Sequence, residues 1–245
     1  MLEELEKAMK KLKNNKALAA DGITAELIKQ SGTEFKNQMF QLILHIWADE
    51  ALPYKWNFGI IYPILKKGDP TACSNYRILL LNIAYKILSY ILYVRLSEYT
   101  EGIIGKYQCG FQKGKSTTNQ ILTLSQIMEK TVEYQTGVHH LFIDFKSAYD
   151  SIYREKLLGA MMEFGIPPKL VRLVKTTNNV LCSFEIQCHL SEPISTTCGL
   201  RQGNALACLL FNIALEKVIR DLGIQTRGTI FLRLYKSCPM QMTLI

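Results

Sequence analysis

Apolar positions recur at helical spacing along most of the chain, and only short stretches alternate or run continuously apolar. Leu2, Leu5, Met9 and Leu12 with charges between them predict a helix over residues 2–13, followed by a loop at Asn14, Asn15 and Lys16. Residues 21–26 read as a turn entering a second helix, with Thr24 as its cap. A third helix covers residues 34–50, with Pro53 and Trp56 at its exit. Residues 60–65 have strand character, and Lys66-Lys67-Gly68-Asp69-Pro70 has turn composition. A long helix is predicted over 79–96, a polar Gly-containing loop over 102–115 and a helix over 117–134. Residues 139–144 form a short apolar strand that ends in a carboxylate. Helices follow over 153–164, stopped by Gly165-Ile166-Pro167-Pro168, and over 169–178. Residues 180–197 alternate as in a hairpin, 199–204 form a loop and 205–222 form a helix. Helices predominate and a few strands meet carboxylates at their ends, which gives an α+β fold class.

The apolar run at 78–94 approaches the length of a membrane span, but Asn82 and Lys86 lie inside it and Arg77 and Arg95 flank it. A lysine near a bilayer centre costs roughly 2.5–3.5 kcal/mol. Leu80, Ala84, Ile87, Leu88 and Ile91 recur at helical spacing, so the segment is expected to be a buried amphipathic helix with no role in a membrane. The chain has no internal repeat. Its 245 residues suffice for a packed core, and 48% hydrophobic against 20% charged residues excludes a disordered chain. The formal charge of +8 favours a polyanionic partner, nucleic acid before membrane. Seven cysteines at scattered spacings, without a C-x-x-C pair, fit neither a disulfide framework nor a zinc ribbon and suit a reducing compartment. The acidic, helical start at Leu2-Glu3-Glu4-Leu5-Glu6 is unlike a signal peptide. His139, His140 and His189 lack metal-ligand spacing with the cysteines and are read as structural.

Chemistry concentrates first in Phe142-Ile143-Asp144-Phe145-Lys146-Ser147-Ala148-Tyr149-Asp150. A carboxylate placed just beyond a strand can bind Mg²⁺, a hard cation that takes oxygen ligands. From spacing alone, the reading of Asp144 as a turn or cap residue is the favoured one.

The pattern F-x-D-x-x-x-A-Y in that segment resembles the first palm motif of reverse transcriptases of the non-LTR (LINE-like) retrotransposon kind. Gly199-Leu200-Arg201-Gln202-Gly203-Asn204-Ala205-Leu206, continuing through Leu210-Phe211-Asn212, resembles a second motif of that family. Pro63-Ile64-Leu65-Lys66-Lys67-Gly68-Asp69 with Asn75-Tyr76-Arg77 is similar to its fingers pattern. Tyr107-Gln108-Cys109-Gly110-Phe111 with Ser116-Thr117, and Asn14-Asn15-Lys16 with Asp21-Gly22-Ile23, also match, all in family order.

This resemblance implies the fingers and palm of a right-hand polymerase, with an N-terminal helical extension at 1–47, fingers at about 48–135 and palm at about 136–245. It implies RNA-directed DNA polymerisation on an RNA template, with a DNA primer or target and dNTP substrates, and nuclear residence. Asp144 and the Phe145 carbonyl would bind catalytic Mg²⁺. Tyr149 would pack beneath the incoming sugar and exclude a 2′-hydroxyl. Lys66 and Arg77 would reach the triphosphate, while Gln202 and Gly203 would lie near the templating base pair. Lys106, Lys113, Lys115 and Arg154 are candidates for template-backbone contact, although each alone reads as a surface charge.

The family pattern continues with aromatic-Ala-Asp-Asp on a palm hairpin, and this chain has no Asp or Glu after Asp221. In its place stands Cys238-Pro239-Met240-Gln241-Met242-Thr243-Leu244-Ile245. Back-translated and read one base earlier, these codons force an Ala and a later Asp and permit Tyr-Ala-Asp-Asp. The expectation is therefore a chain that is truncated or frameshifted between Phe231 and Cys238, with negligible polymerase activity and an unpaired palm edge. Asn204 where the family has Asp, and Ala207 where it has Ser, are further departures. The rival expectation is a non-catalytic nucleic-acid-binding remnant.

Overall fold

The computed structural model describes residues 2–16, 21–65, 68–71, 75–76, 79–137, 141–145, 147–178, 181–187, 189–201, 203–223 and 241–244. For residues 79–80, 141–142, 144 and 241–244 it describes the backbone. The helices are α1 (Leu2–Lys10), α2 (Ala25–Gln30), α3 (Thr33–Asp49), α4 (Ile83–Thr100), α5 (Thr117–Glu133), α6 (Arg154–Glu163), α7 (Pro168–Asn178) and α8 (Ala205–Asp221). The strands are β1 (Phe58–Ile61), β2 (Leu79–Leu80), β3 (Leu141–Asp144), β4 (Leu181–Ile186), β5 (His189–Leu190), β6 (Ile194–Ser195) and β7 (Gln241–Leu244). The mixed composition agrees with the α+β class.

Helix α4 is the axis of the core. Ile87, Leu88, Ile91, Leu92 and Leu96 are fully buried, and Ile83, Ala84 and Tyr85 join them. A helix this apolar on nearly every side is stable in water only when surrounded. Helices α1, α7 and α8 pack around it. No helix among the described residues is long and apolar enough to cross a membrane. Lys86 is half-buried, and burial pulls its ammonium below the ordinary value. The helix starts later than its periodicity suggests, because Leu79–Leu80 pair antiparallel with Ile60–Ile61. Asn82 then donates its side-chain amide to the Lys55 carbonyl at 2.9 Å.

The N-terminal helices belong to the same buried cluster, through Leu5 and Met9 of α1, Ile28 of α2 and Ile43 of α3. Thr24 caps α2 as expected, its Oγ1 accepting from the Leu27 N–H at 3.1 Å. Arg95 of α4 ties α1 and α3 together. It donates to both Glu4 oxygens at 3.0 and 2.9 Å, and its guanidinium lies 4.1 Å from the Trp47 ring centre. A planar fork suits both contacts.

The larger sheet runs β2-β1-β4-β5, with β6 also on β4. Strands β1 and β4 are parallel, Phe58 opposite Leu181 and Ile61 opposite Phe184, and everything from β2 to α7 intervenes between them. The expected hairpin at 180–197 is present, but its second arm is broken. β5 pairs with Glu185 and Ile186, and β6 pairs with Leu181 and Cys182. Between these short strands Ser191 bridges back to Phe184, N–H to carbonyl at 2.9 Å.

The second sheet is β3 with β7, antiparallel, Leu141 opposite Leu244 and Asp144 opposite Gln241. This corrects the expectation of an unpaired edge at β3: residues 241–244 pair with it along its whole length.

Replacing Leu92 by Ala is expected to cost about 2–5 kcal/mol in urea unfolding, because its surroundings cannot close the cavity. The Arg95 hydrogen bonds hold the Glu4 carboxyl below its usual 4.5, with burial opposing. A depressed folded-state value gives stability that is present above the usual carboxylate range and lost as pH falls through the folded value. Glu4→Gln is therefore expected to cost about 1 kcal/mol at pH 7 and to flatten the acid limb of a stability–pH curve.

Candidate functional site

Strand β3 delivers Asp144 to its C-terminal end, and Phe145 follows directly. The chain then turns sharply. Ser147 sits at φ 91°, a left-handed conformation that strains a residue with a Cβ. Its carbonyl accepts from the N–H groups of Asp150 and Ser151 at 2.9 and 3.0 Å, which holds the turn. The turn sets Tyr149, half-buried, 5.2 Å from the Phe211 ring of α8. The Tyr149 hydroxyl donates to Cys208 Sγ at 3.3 Å. Burial, then the neighbouring thiol, pushes the phenol well above its ordinary range, so it stays protonated. Phe145 meets the same Phe211 ring edge-on, at 6.4 Å. Phe211 is thus a shared platform for two of the expected nucleotide-site residues.

The loop before α8 is sewn onto this turn. The Gly199 N–H donates to the Ile152 carbonyl at 2.8 Å and the Leu200 N–H to the Tyr149 carbonyl at 2.9 Å. Gly199 has φ +89°, and a Cβ there would lie 3.1 Å from the Asp150 Cα, so both conformation and space demand glycine. At Gly203, φ +104°, a Cβ would make only an ordinary 3.9 Å contact with Leu81 Cδ1, so its conformation alone favours glycine. Asn204 caps α8, its Oδ1 accepting from the Ala207 N–H at 2.8 Å. An aspartate would accept the same bond, so this departure from the family pattern keeps the cap.

Two arginines anchor the loop, Arg154 from α6 and Arg201 from within it. Arg154 donates to the carbonyls of Thr196, Cys198 and Gly199 and to the Thr196 hydroxyl. It is therefore a clamp on this loop, committed to it by four hydrogen bonds. Arg201, 3% exposed, donates to the Trp56 carbonyl at 2.8 Å and lies 4.2 Å from the Tyr85 ring centre. Lys115 is likewise committed, its ammonium on the carbonyls of Lys106 and Gln108. Lys106 and Lys113 are exposed.

A buried polar lock joins the 105–111 loop to α8, and sequence reasoning missed it. Gln108 and Asn212 are each 1% exposed. The Gln108 amide donates to Asn212 Oδ1 at 2.8 Å, and the Asn212 amide donates to the Gly110 carbonyl at 3.0 Å. One turn further on, Glu216 accepts from the Gly105 N–H at 3.0 Å and the Tyr107 hydroxyl at 2.8 Å. Burial, then that bond, raises the Tyr107 phenol. The signal was available: Asn212 and Glu216 stand one turn apart among apolar neighbours of α8, and buried polar groups find partners.

Lys66, Arg77 and Gln202, together with His139 and His140, lie outside the described residues. Around the first two, Leu65 and Tyr76 form an antiparallel bridge, and the Asn75 amide donates to the Asp69 carbonyl at 2.9 Å. His189 is exposed, with Nδ1 2.9 Å from the Gln187 carbonyl.

The described parts of the motifs noted in the sequence therefore converge: the 144–150 turn lies on the 199–204 loop, and the 107–111 segment is bolted to Asn212. A family profile described as reverse transcriptase (RNA-dependent DNA polymerase) matches residues 64–235. The chain belongs to the reverse transcriptase family.

Relatives of this reverse transcriptase chain are distant and much longer. It is 23% identical over 217 residues to the transposon TX1 uncharacterized 149 kDa protein of Xenopus laevis, covering 88% of this chain and 17% of that protein. It is 26% identical over 209 residues to the probable RNA-directed DNA polymerase from transposon X-element of Drosophila melanogaster, covering 81% and 22%. It is 25% identical over 224 residues to the Pol polyprotein from type-1 retrotransposable element R2 of Bradysia coprophila, covering 87% and 24%. The chain thus spans about a fifth of the length of these relatives. A chain of a partial Cas6-RT-Cas1–Cas2 complex shares the fold, with TM-score 0.53 and 16% identity, covering 100% of this chain and 37% of that one.

Among the described residues, those present do not fit a pair of divalent ions. Two such ions need several carboxylate oxygens around them. The strand beside Asp144 reads Gln241-Met242-Thr243-Leu244, which contains no carboxylate. Among the described residues no group of three His, Cys, Asp or Glu side chains could hold a metal.

Asn212→Ala leaves the Gln108 amide and the Gly110 carbonyl unpaired in the interior. It is expected to cost about 2–3 kcal/mol in urea unfolding, and a double cycle with Gln108→Ala should show coupling above about 0.5 kcal/mol.

Proposed function

We propose that this chain is the reverse transcriptase domain of a non-LTR retrotransposon, and that as written it binds template and nucleotide without polymerising. The observation that carries this reading is the seam between the 144–150 turn and the 199–204 loop. It supports an assembled site in which Asp144 and the Phe145 carbonyl face the reaction, Tyr149 floors the sugar, and Gln202 and Gly203 adjoin the templating base pair. Lys66 and Arg77 grip the triphosphate, Arg by a planar fork and Lys as a point charge. In this reading residues 1–47 are a helical extension, 48–135 fingers and 136–245 palm. RNA template, DNA primer or target and dNTP are the partners. Mg²⁺ is the expected ion, for which Asp144 alone is an inadequate holder.

A second reading, a nucleic-acid-binding remnant of a decayed element, is favoured by the acid-free sequence of the strand beside Asp144 and by the net charge of +8. Both readings require binding to a primed RNA template, whereas the first also requires a nucleotide pocket. The expected result is an affinity for the primed template, measured by fluorescence anisotropy, that falls linearly with salt on logarithmic axes. Loss of one triphosphate contact is expected to weaken binding of a fluorescent dNTP about tenfold in Lys66→Ala and Arg77→Ala, roughly 1.4 kcal/mol each. Template binding without any effect of these substitutions would favour the remnant. Absence of template binding would overturn both.

A further inference from the structure

We propose that the strand paired with Asp144 is read out of frame, and that the same DNA, read one nucleotide earlier, encodes a strand carrying two aspartates. The inference rests on the reverse transcriptase reading above and deepens it at the metal site.

The argument starts from the mismatch between a position and its sequence. Among the described residues, β7 is the strand hydrogen-bonded to β3, and its register sets Gln241 opposite Asp144, Met242 opposite Ile143 and Thr243 opposite Phe142. A phosphoryl-transfer site built on Asp144 needs its further carboxylates within reach of that strand end. The chain supplies none there, and its last acidic residue is Asp221. The place is filled and the chemistry is missing.

The codons explain how both can be true. Met240-Gln241-Met242-Thr243 is encoded by ATG CAR ATG ACN. Shifted one base earlier, the triplets spanning these codons are GCA, RAT and GAC. The alanine and the second aspartate follow whatever synonymous codons are used. The first aspartate requires CAG at Gln241. A tyrosine before the alanine requires CCT at Pro239. The next shifted triplet has T as its last base and a pyrimidine in the middle, which permits Ile, Val, Leu or Phe, residues that suit a strand. The shifted strand therefore keeps its length and its place. It sets alanine opposite Asp144 and the two aspartates opposite Ile143 and Phe142, the second of these positions being on the same face of the ladder as Asp144. A single-base slip between Phe231 and Cys238 suffices, because every motif upstream of it is in frame.

The test has two parts. The first is the coding DNA across residues 231–245. The inference expects CAG for Gln241, and CAA there, which would give Asn in the shifted frame, overturns it. The second is Mn²⁺ binding by electron paramagnetic resonance, comparing the chain as written with a chain whose frame is restored after Phe231. The restored chain is expected to bind two ions at least tenfold more tightly than the written chain, and Asp144→Asn in the restored chain is expected to abolish the gain. A restored chain with the written chain's circular dichroism and no tighter Mn²⁺ binding overturns the inference. The codon result does not depend on folding. Neither part uses the RNA and dNTP binding of the written chain, so failure here is distinguishable from failure of the family reading.

Discussion

Two backbone hydrogen bonds, from Gly199 to Ile152 and from Leu200 to Tyr149, hold together the two segments that form the candidate site. They require the chain to approach itself so closely that a Cβ at position 199 would press on the Asp150 backbone. Arg154 answers the remaining carbonyls of the loop, at Thr196, Cys198 and Gly199. Without this seam, the turn after Asp144 and the cap of α8 would be separate surface features. With it, Phe145, Tyr149, Gly203 and Cys208 surround one helix start. The Ser147 conformation is a cost of making that turn.

A second constraint acts on the other side of α8. An apolar helix that carries Asn212 and Glu216 into the interior must find them partners or lose several kcal/mol. The 105–111 loop provides them through Gln108, Tyr107 and the Gly105 and Gly110 backbone. Burial of polar groups thus does what apolar packing cannot. It fixes which loop lies on the helix and at which turn, since the bonds form only in one register.

The local parts of this structure were legible, and the distant pairings were not. Periodicity and turn signals located the α-helices among the described residues but not the 3-10 turn at Tyr54–Asn57, and the Thr24 cap was read correctly because capping depends on three neighbouring residues. Leu79 and Leu80 were assigned to α4 because their apolar character suits a helix and a strand equally; their pairing with Ile60 and Ile61 decided the matter. The parallel pairing of β1 with β4 had no local sign, since its partners come from far-separated segments. Arg154 was misread as a surface charge because nothing near it in sequence announces the carbonyls it serves. Asn204 was noted as a departure, while its capping role was visible only in the structure. Asp144 was recognised at its strand end, and the absence of acids in its neighbouring strand was already plain in the chain.

The proposed function separates two properties: an assembled scaffold and the carboxylates a polymerase needs. The most direct measurement is Mg²⁺-dependent extension of a DNA primer on an RNA template by the purified 245-residue chain. The account predicts no extension above background, and none different from Asp144→Ala. Extension by the chain as written that Asp144→Ala abolishes would contradict it.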